Sequence, residues 1–419
     1  MELPPSGSGR DTSILIQMRG RILNQPLENI RVVDFGQYIA GPASGELLAN
    51  MGASVVKIEP LNGEAARHLG AFGTAMIHAY NRGKRGLALD LGQERGREVA
   101  KRLVASSDVL IQNMRPGKME KLGLGAEDAR KMNPRLVYAS ISGFGLNGPS
   151  RERVALDTVA QAEAGVMWVT GAPDGDPQRV GFTMVDAATS HVVAEAVLAA
   201  LFQRERTGVG ETIEVSLLEV ALQMQAVNWA DFFINKHEPV RRGNGYTHVA
   251  PAGDLIKTLD GYVVLSAYSD SHWKTLCRAI DREDMLTDSR FVDNPSRVAN
   301  RSELLAILEA LFGKRSSEEC VRWMAQSGIV IGAVRSFPQV EASADVEATG
   351  IFVDGPSVNG VTERYVASPY TVGGVRPNSA QPAPLVGEHS LEVLSDYGIS
   401  PEEVGELVRD GVVLVTSGE

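Results

Sequence analysis

Asp186 is the residue whose placement raises the question of covalent chemistry. It stands in the run VGFTMVDAATSHVVAEAVLAAL, between a short apolar stretch and a segment apolar on nearly every side. Such a segment reads as a buried helix. Aspartate is a favoured N-cap, so the position has a plain structural reading. Thr189 stands where a reciprocal Glu would complete a capping box. The chemical reading is that a carboxylate at a helix N-terminus stays ionised, because the positive end of the helix dipole favours the anion. In a water-poor pocket it is a competent oxygen nucleophile toward an activated acyl group. The two roles are compatible.

A second candidate is the turn holding Gly36, Gly41 and Gly45, which follows an apolar run and precedes another that ends at Glu59. An acid at the end of the second strand binds a ribose hydroxyl in dinucleotide folds. The spacing departs from G-x-G-x-x-G, and Pro42 has no N–H to offer a phosphate. A tight βα turn, or a nucleotide-containing ligand without redox chemistry, fits better. Lys57, Arg67, Lys84, Arg85, Arg115, Lys118 and Lys121 are scattered through the first domain, several just after strand ends, where cations can pair with phosphates. Solvated surface charge is the plain reading of most of them. The 7 histidines are dispersed and suggest no metal cluster. His191 and His389 receive no role. Cys277 and Cys320 are too far apart for a metal or disulfide motif and read as reduced, partly buried thiols.

These residues need elements to position them. Arg31–Phe35 reads as a strand, 36–42 as a loop, Ala43–Met51 as a helix closed by Gly52, and Val55–Glu59 as the next strand. RGLALDL, DVLIQNM and RLVYASISGFG continue the strands, with helices between. Alternating apolar strands and helices predict a doubly wound α/β domain with a parallel sheet. TGVGETIEVSLLEVAL reads as a Gly turn, a strand and the start of one long helix running through QMQAVNWADFFIN. KHEPVRRGNGYTHVAPAGD is a Gly- and Pro-rich connector, and Asp260-Gly261 marks a hairpin. The expected division is a flexible tail at 1–26, a large Rossmann-like domain at 27–235, a connector and small α+β domain at 236–335, and a linker with a return to the large domain at 336–419.

The chain has 419 residues, 43% hydrophobic and 22% charged, with a net charge of -11. That is an ordinary globular composition with material for a sizeable core. The negative balance argues against nucleic acid or an anionic membrane as partner. No run reaches the ~18 apolar residues of a membrane span. The start MELPPSGSGRDT lacks an apolar signal core, so a cytoplasmic location is expected.

Several stretches in succession resemble the class III CoA-transferases, the family of formyl-CoA transferase, carnitine CoA-transferase and the α-methylacyl-CoA racemases. They are VVDFGQYIAGPASGELLANMGASVVKIEP, NRGKRGLALDL, NMRPGKMEKLGLG, NPRLVYASISGFGLNGP, LDTVAQAEAG, TGAPDGDP and GEHSLEVLSDYGIS, and they span about residues 27–414. In the family's pattern G-x-x-x-x-D-x-x-T-G the Asp is catalytic. Here it falls on Asp186, with Ser190 in place of the last Gly. The resemblance implies CoA transfer from an acyl-CoA to a carboxylic acid through an aspartyl-CoA thioester on Asp186. CoA is then a substrate, with no permanently bound cofactor and no metal.

The resemblance also implies contacts. The loop at Tyr38, Ile39 and Ala40 would cradle CoA, with Leu89 of the Leu89-Asp90 pair, Asn113 and Met114, and Lys121 would meet the phosphates. Gly243 and Gly245 would form the loop near the acyl group. Asp157 and Gln161 would lie near the active centre in supporting hydrogen bonds. Ile39 stands where the formyl-CoA branch has Gln, which argues against formyl or oxalate substrates. Leu156 stands where racemases have their basic His, and leucine cannot accept a proton. The family further implies an interlocked homodimer, with the Gly/Pro-rich connectors near 236–254 and 336–360 as its linkers. An acyl-CoA racemase, a non-catalytic CoA-binding protein and a dinucleotide oxidoreductase are the alternatives.

Overall fold

The computed structural model describes residues 25–246, 248–358, 361–379 and 381–416. The expected tail therefore lies outside the described residues up to position 24. The chain divides into two compact units, one of residues 1–164, 181–226 and 350–419, the other of residues 165–180 and 227–349. The second unit is thus wider than the 236–335 read from composition. It also takes in a short excursion, 165–180, that the sequence reading kept in the large domain.

The first unit is built on a seven-stranded sheet. Its strands are β1 (Arg31–Asp34), β2 (Ser54–Glu59), β3 (Lys84–Leu89), β4 (Val109–Gln112), β5 (Val137–Ser142), β6 (Thr212–Ser216) and the short β12 (Val413–Leu414). Their spatial order is β12-β3-β2-β1-β4-β5-β6. All neighbours pair in parallel except β12, which runs antiparallel on β3. Val33 lies level with Val56 on one side and Leu110 on the other. These apolar residues join the helices Glu94–Ala105, Ser390–Asp396 and Pro401–Arg409 in one core. Side chains alternate across a sheet, so Asp34 and Lys57 point to the opposite face, beneath the helix Ala40–Asn50. After β1 the chain moves one way to β2 and β3, then crosses back to β4. The crevice outside the ends of β1 and β4 is therefore the topological switch point, where open α/β sheets bind ligands.

The helix Ala40–Asn50 starts three residues before the expected Ala43. Pro42 falls in its first turn, where a missing N–H breaks no internal bond. The turn before it is tight. A Cβ on Gly36 would lie 2.8 Å from the Gly41 carbonyl carbon and from Pro42 Cδ. The helix Met184–Thr207 is long and apolar enough, by length and composition, to cross a membrane. Here it is a core helix, with Val185, Val193, Val197 and Leu201 buried and packed against Ala40–Asn50 and β5.

The single long helix expected after β6 is broken into Leu217–Gln223 and Ala226–Asn235, and the break falls at the boundary between the units. In the second unit β7 (Asp254–Lys257), β8 (Tyr262–Ser266) and β9 (Val330–Ala333) form an antiparallel sheet. Its core gathers Ile256, Val263 and Leu265 with Trp273, Leu276, Leu304, Leu308 and Phe312. Cys277 and Cys320 are free and fully buried rather than partly so, and burial pushes the Cys277 thiol up to about 12. The chain then returns to the first unit through a hairpin of β10 (Phe352–Val358) and β11 (Val361–Val366).

Candidate active site

Asp186 is the third residue of the helix Met184–Thr207, whose N-cap is Thr183. It is therefore not the cap that its position suggested. The capping carboxylate is Asp157, the first residue of the helix Asp157–Glu163. Its Oδ2 accepts the N–H of Val185 at 2.7 Å and that of Asp186 at 3.1 Å. Its Oδ1 accepts Gln161 Nε2 at 2.5 Å. Among the described residues no donor engages the Asp186 carboxyl. Burial first, and the Asp157 charge second, raise its pKa to about 7. The Tyr80 phenol stands beside it, its pKa raised first by burial and further by the Asp186 charge.

Asp186 faces a cavity of about 520 Å³ at the switch point. The loop after β1 supplies Gln37, Tyr38, Ile39 and Ala40, the segment after β4 supplies Asn113, Met114 and Arg115, and β5 supplies Ile141 and Ser142. So Tyr38, Ile39, Ala40, Asn113 and Met114 are brought together with Asp186. Asn113 also shapes the loop, accepting Gln37 N–H and donating to Gln37 O, both at 2.8 Å. Tyr38 sits at φ 63°, in the left-handed region that a bulky residue rarely adopts. Its N–H is held by Glu64 Oε2 at 2.7 Å. An adjoining cavity of about 260 Å³ shares Gln37, Met114 and Lys118 with the first and adds Leu89 and Asp90. Lys118 lines both, while Lys121, one turn on, is exposed and lines neither. The spacing alone did not tell these two lysines apart.

Other cations are accounted for differently from the sequence reading. Lys57 and Lys84 are fully buried, neither solvated nor free for a phosphate. Lys84 Nζ lies 2.7 Å from Asp34 Oδ2, and Lys57 Nζ lies 2.8 Å from Glu64 Oε1. Arg67 grips both oxygens of Glu59 at 2.7 Å. The carboxylate that a dinucleotide ribose would need is thereby occupied.

Leu156 is 58% exposed and lines the same cavity as Asp186. Ser190 donates to Ala187 O at 2.7 Å and faces, with His191, a different cavity of about 810 Å³. Ser190 is therefore not among the residues that line the Asp186 cavity. In the second unit Gly243 holds φ 65°, and a Cβ on Gly245 would collide with the Arg301 guanidinium. That unit also draws two of the dispersed histidines together. His237 and His248 lie 3.3 and 3.2 Å from the Asp231 oxygens, all partly or largely exposed. The sequence reading had no such cluster. Hydrogen bonding accounts for it.

Comparison with known proteins agrees with this architecture. The family model of CoA-transferase family III matches residues 27–390. A probable fatty acyl-CoA transferase of Mycobacterium tuberculosis is 36% identical over 88% of this chain and 98% of its own. Human succinyl-CoA:glutarate CoA-transferase is 32% identical over 93% of this chain and 90% of its own. A crystal structure of a CAIB/BAIF family protein from Brucella suis superposes with a TM-score of 0.81 at 31% identity, covering 89% of this chain and all of that one. The protein is therefore an enzyme that moves coenzyme A between acyl groups. The chain belongs to CoA-transferase family III.

Proposed function

We propose that the chain transfers CoA from an acyl-CoA donor to a carboxylic acid acceptor through covalent intermediates on Asp186. The observation that carries this reading is the placement of Asp186 in the switch-point cavity with its helix capped by another residue. The Asp186 carboxylate attacks the donor thioester carbonyl and expels CoA thiolate, giving a mixed anhydride. The thiolate attacks the aspartyl carbonyl and expels the donor carboxylate, leaving an aspartyl-CoA thioester. The acceptor carboxylate attacks that carbonyl and expels the thiolate again. The thiolate then takes the acceptor acyl group and frees Asp186. Each step breaks one activated acyl bond as another forms; the anhydrides are the high-energy species, while the donor, aspartyl and product thioesters are of similar energy.

CoA would lie along Gln37–Ala40 and Asn113–Met114 and reach past Leu89 and Asp90. First-turn N–H groups of Ala40–Asn50 and the cations Arg115 and Lys118 would meet its phosphates. Leu156 in the cavity wall argues against proton abstraction by a second base, and so against a racemase. The relatives named for succinate and glutarate supply the first acceptors to try. The test is to incubate the protein with a panel of acyl-CoAs, quench with hydroxylamine and map the modified peptide by mass spectrometry. A hydroxamate on Asp186 is expected. No label with any donor, despite CoA binding, would overturn the covalent route.

The same reading takes the chain as an interlocked homodimer. The helix Ala226–Asn235 buries none of its residues within its own unit, and Val227 and Ile234 are 82% and 77% exposed. Apolar surface of that kind marks an interface. Light scattering on the eluting protein should give a dimer mass, and a monomer at all concentrations would refute the pairing.

A further inference from the structure

We infer that Asp157 is a positioning residue for the transfer step: by capping the helix in place of Asp186 it holds that carboxyl unengaged in the cavity and sets the pH at which it becomes a nucleophile. The inference rests on the reading of Asp186 as the nucleophile.

The geometry is specific. A helix N-terminus presents N–H groups without internal partners, and a nearby carboxylate satisfies them. The helix's N-cap, Thr183, makes no side-chain cap, and the one carboxylate in its first turn is Asp186 itself. Folded back onto its helix, its oxygens would be bound and turned from the cavity. Asp157 removes that option by taking two of the donors, Val185 N–H at 2.7 Å and Asp186 N–H at 3.1 Å, on one oxygen. Gln161, completely buried one turn along the same helix, fixes the other oxygen at 2.5 Å. Asp157 is itself 4% exposed, so its charge is little screened. It also offsets the helix dipole that would otherwise hold Asp186 ionised.

Among the described residues Asp157 is the one anion that acts on Asp186 in this way. Tyr80, from the helix Gly70–Tyr80, stands beside Asp186 and is itself raised, first by burial. The cavity wall carries the cations Arg115, Lys118, Arg151 and Arg153. Arg153 is paired with Glu163 and Arg151 with Glu152. Burial and the Asp157 charge together hold the Asp186 carboxyl well above the ordinary range. Docked CoA, bringing its own charge and excluding water, then acts on a carboxyl already poised near neutrality.

The experiment follows the rate of Asp186 hydroxamate formation against pH in a single turnover. In the wild type the rate should rise with pH to a plateau, as the carboxylate forms. Asp157→Asn keeps an oxygen for the cap and loses the charge. Its rising limb should move to lower pH by about half a unit or more, with CoA affinity unchanged. Asp157→Ala loses the cap as well, and its plateau should fall about tenfold or more while CoA affinity stays the same. A limb at the wild-type pH in the Asn variant would overturn the inference while leaving Asp186 as nucleophile. Absence of label in the wild type would overturn both, and so separates the two failures. If Asp157→Ala does not fold, the Asn variant alone decides.

Discussion

Asp186→Ala is expected to lower CoA exchange by about 1,000-fold or more while CoA affinity stays within about threefold, a loss of ~4 kcal/mol in transition-state stabilisation. The size follows from the proposed role. Without the carboxylate there is no acceptor for the donor acyl group, and no neighbour replaces it, because Leu156 is apolar and Asp157 is committed to two backbone N–H groups. The cavity walls that would hold CoA are untouched. Unfolding cannot be confused with this loss. The Asp186 pKa is raised to about 7 in the folded protein. A carboxyl raised on folding binds its proton more readily folded than unfolded, so stability falls as pH rises from about 4 to about 7. Removing it should make the variant more stable than wild type by ~1–3 kcal/mol at about pH 8, after discounting for partial exposure. The gain should vanish near pH 4. An Asp186→Ala protein that retains exchange in a donor–acceptor assay would end the proposed mechanism.

The comparison of this site with its sequence shows what local pattern can and cannot carry. Strand and helix alternation made the parallel sheet and the switch point legible, because apolar runs buried on both faces have few other readings. The loop Tyr38–Ala40 and the pair Asn113–Met114 were assigned through the family resemblance, not through local pattern. The cap was assigned to the wrong residue because Asp157 lies 29 residues from Asp186 and reaches its helix only through the fold. The helix start at Ala40 was missed because proline reads as a breaker, although the first turn tolerates it. Nothing between Gln223 and Ala226 is Gly or Pro, so the division of the long helix left no local mark. Charge was the least legible quantity. A lysine in a sequence reads as solvated unless its partner is known, and the partners of Lys57 and Lys84 are dispersed along the chain.

Lys84→Met therefore has the largest expected effect on stability. Lys84 Nζ spends all three of its donors, on Asp34 Oδ2 and Pro42 O at 2.7 Å and on Asn81 Oδ1 at 2.9 Å. Both charged groups are wholly buried. Burial by itself would raise the Asp34 carboxyl, but Lys84 and Lys57 outweigh it and hold it below the ordinary value. Breaking one side of a buried pair leaves an uncompensated charge and costs about 3–5 kcal/mol. The cost should sit at the low end, because Lys57 remains nearby. Its pH dependence has a definite sign. In the wild type the depressed Asp34 contributes stability above its unfolded pKa that is lost as pH falls through the folded value. Without Lys84, burial dominates and the folded pKa rises, so the penalty is greatest at neutral pH and shrinks toward about pH 4. Urea unfolding of the two proteins across that range would show the gap closing. Adding Asp34→Asn to Lys84→Met should recover at least about half of the loss, because the buried charge is then gone and the side-chain amide oxygen can still accept Gly36 N–H. A small deficit that is flat with pH would mean that the pair is not a structural pin. The consequence reaches the site, since Asp34 Oδ1 accepts Gly36 N–H at 2.7 Å and Lys57 donates to Gly36 O at 3.0 Å. Those bonds fix the start of the loop that lines the Asp186 cavity, so even the folded fraction of Lys84→Met should bind CoA more weakly than the wild type.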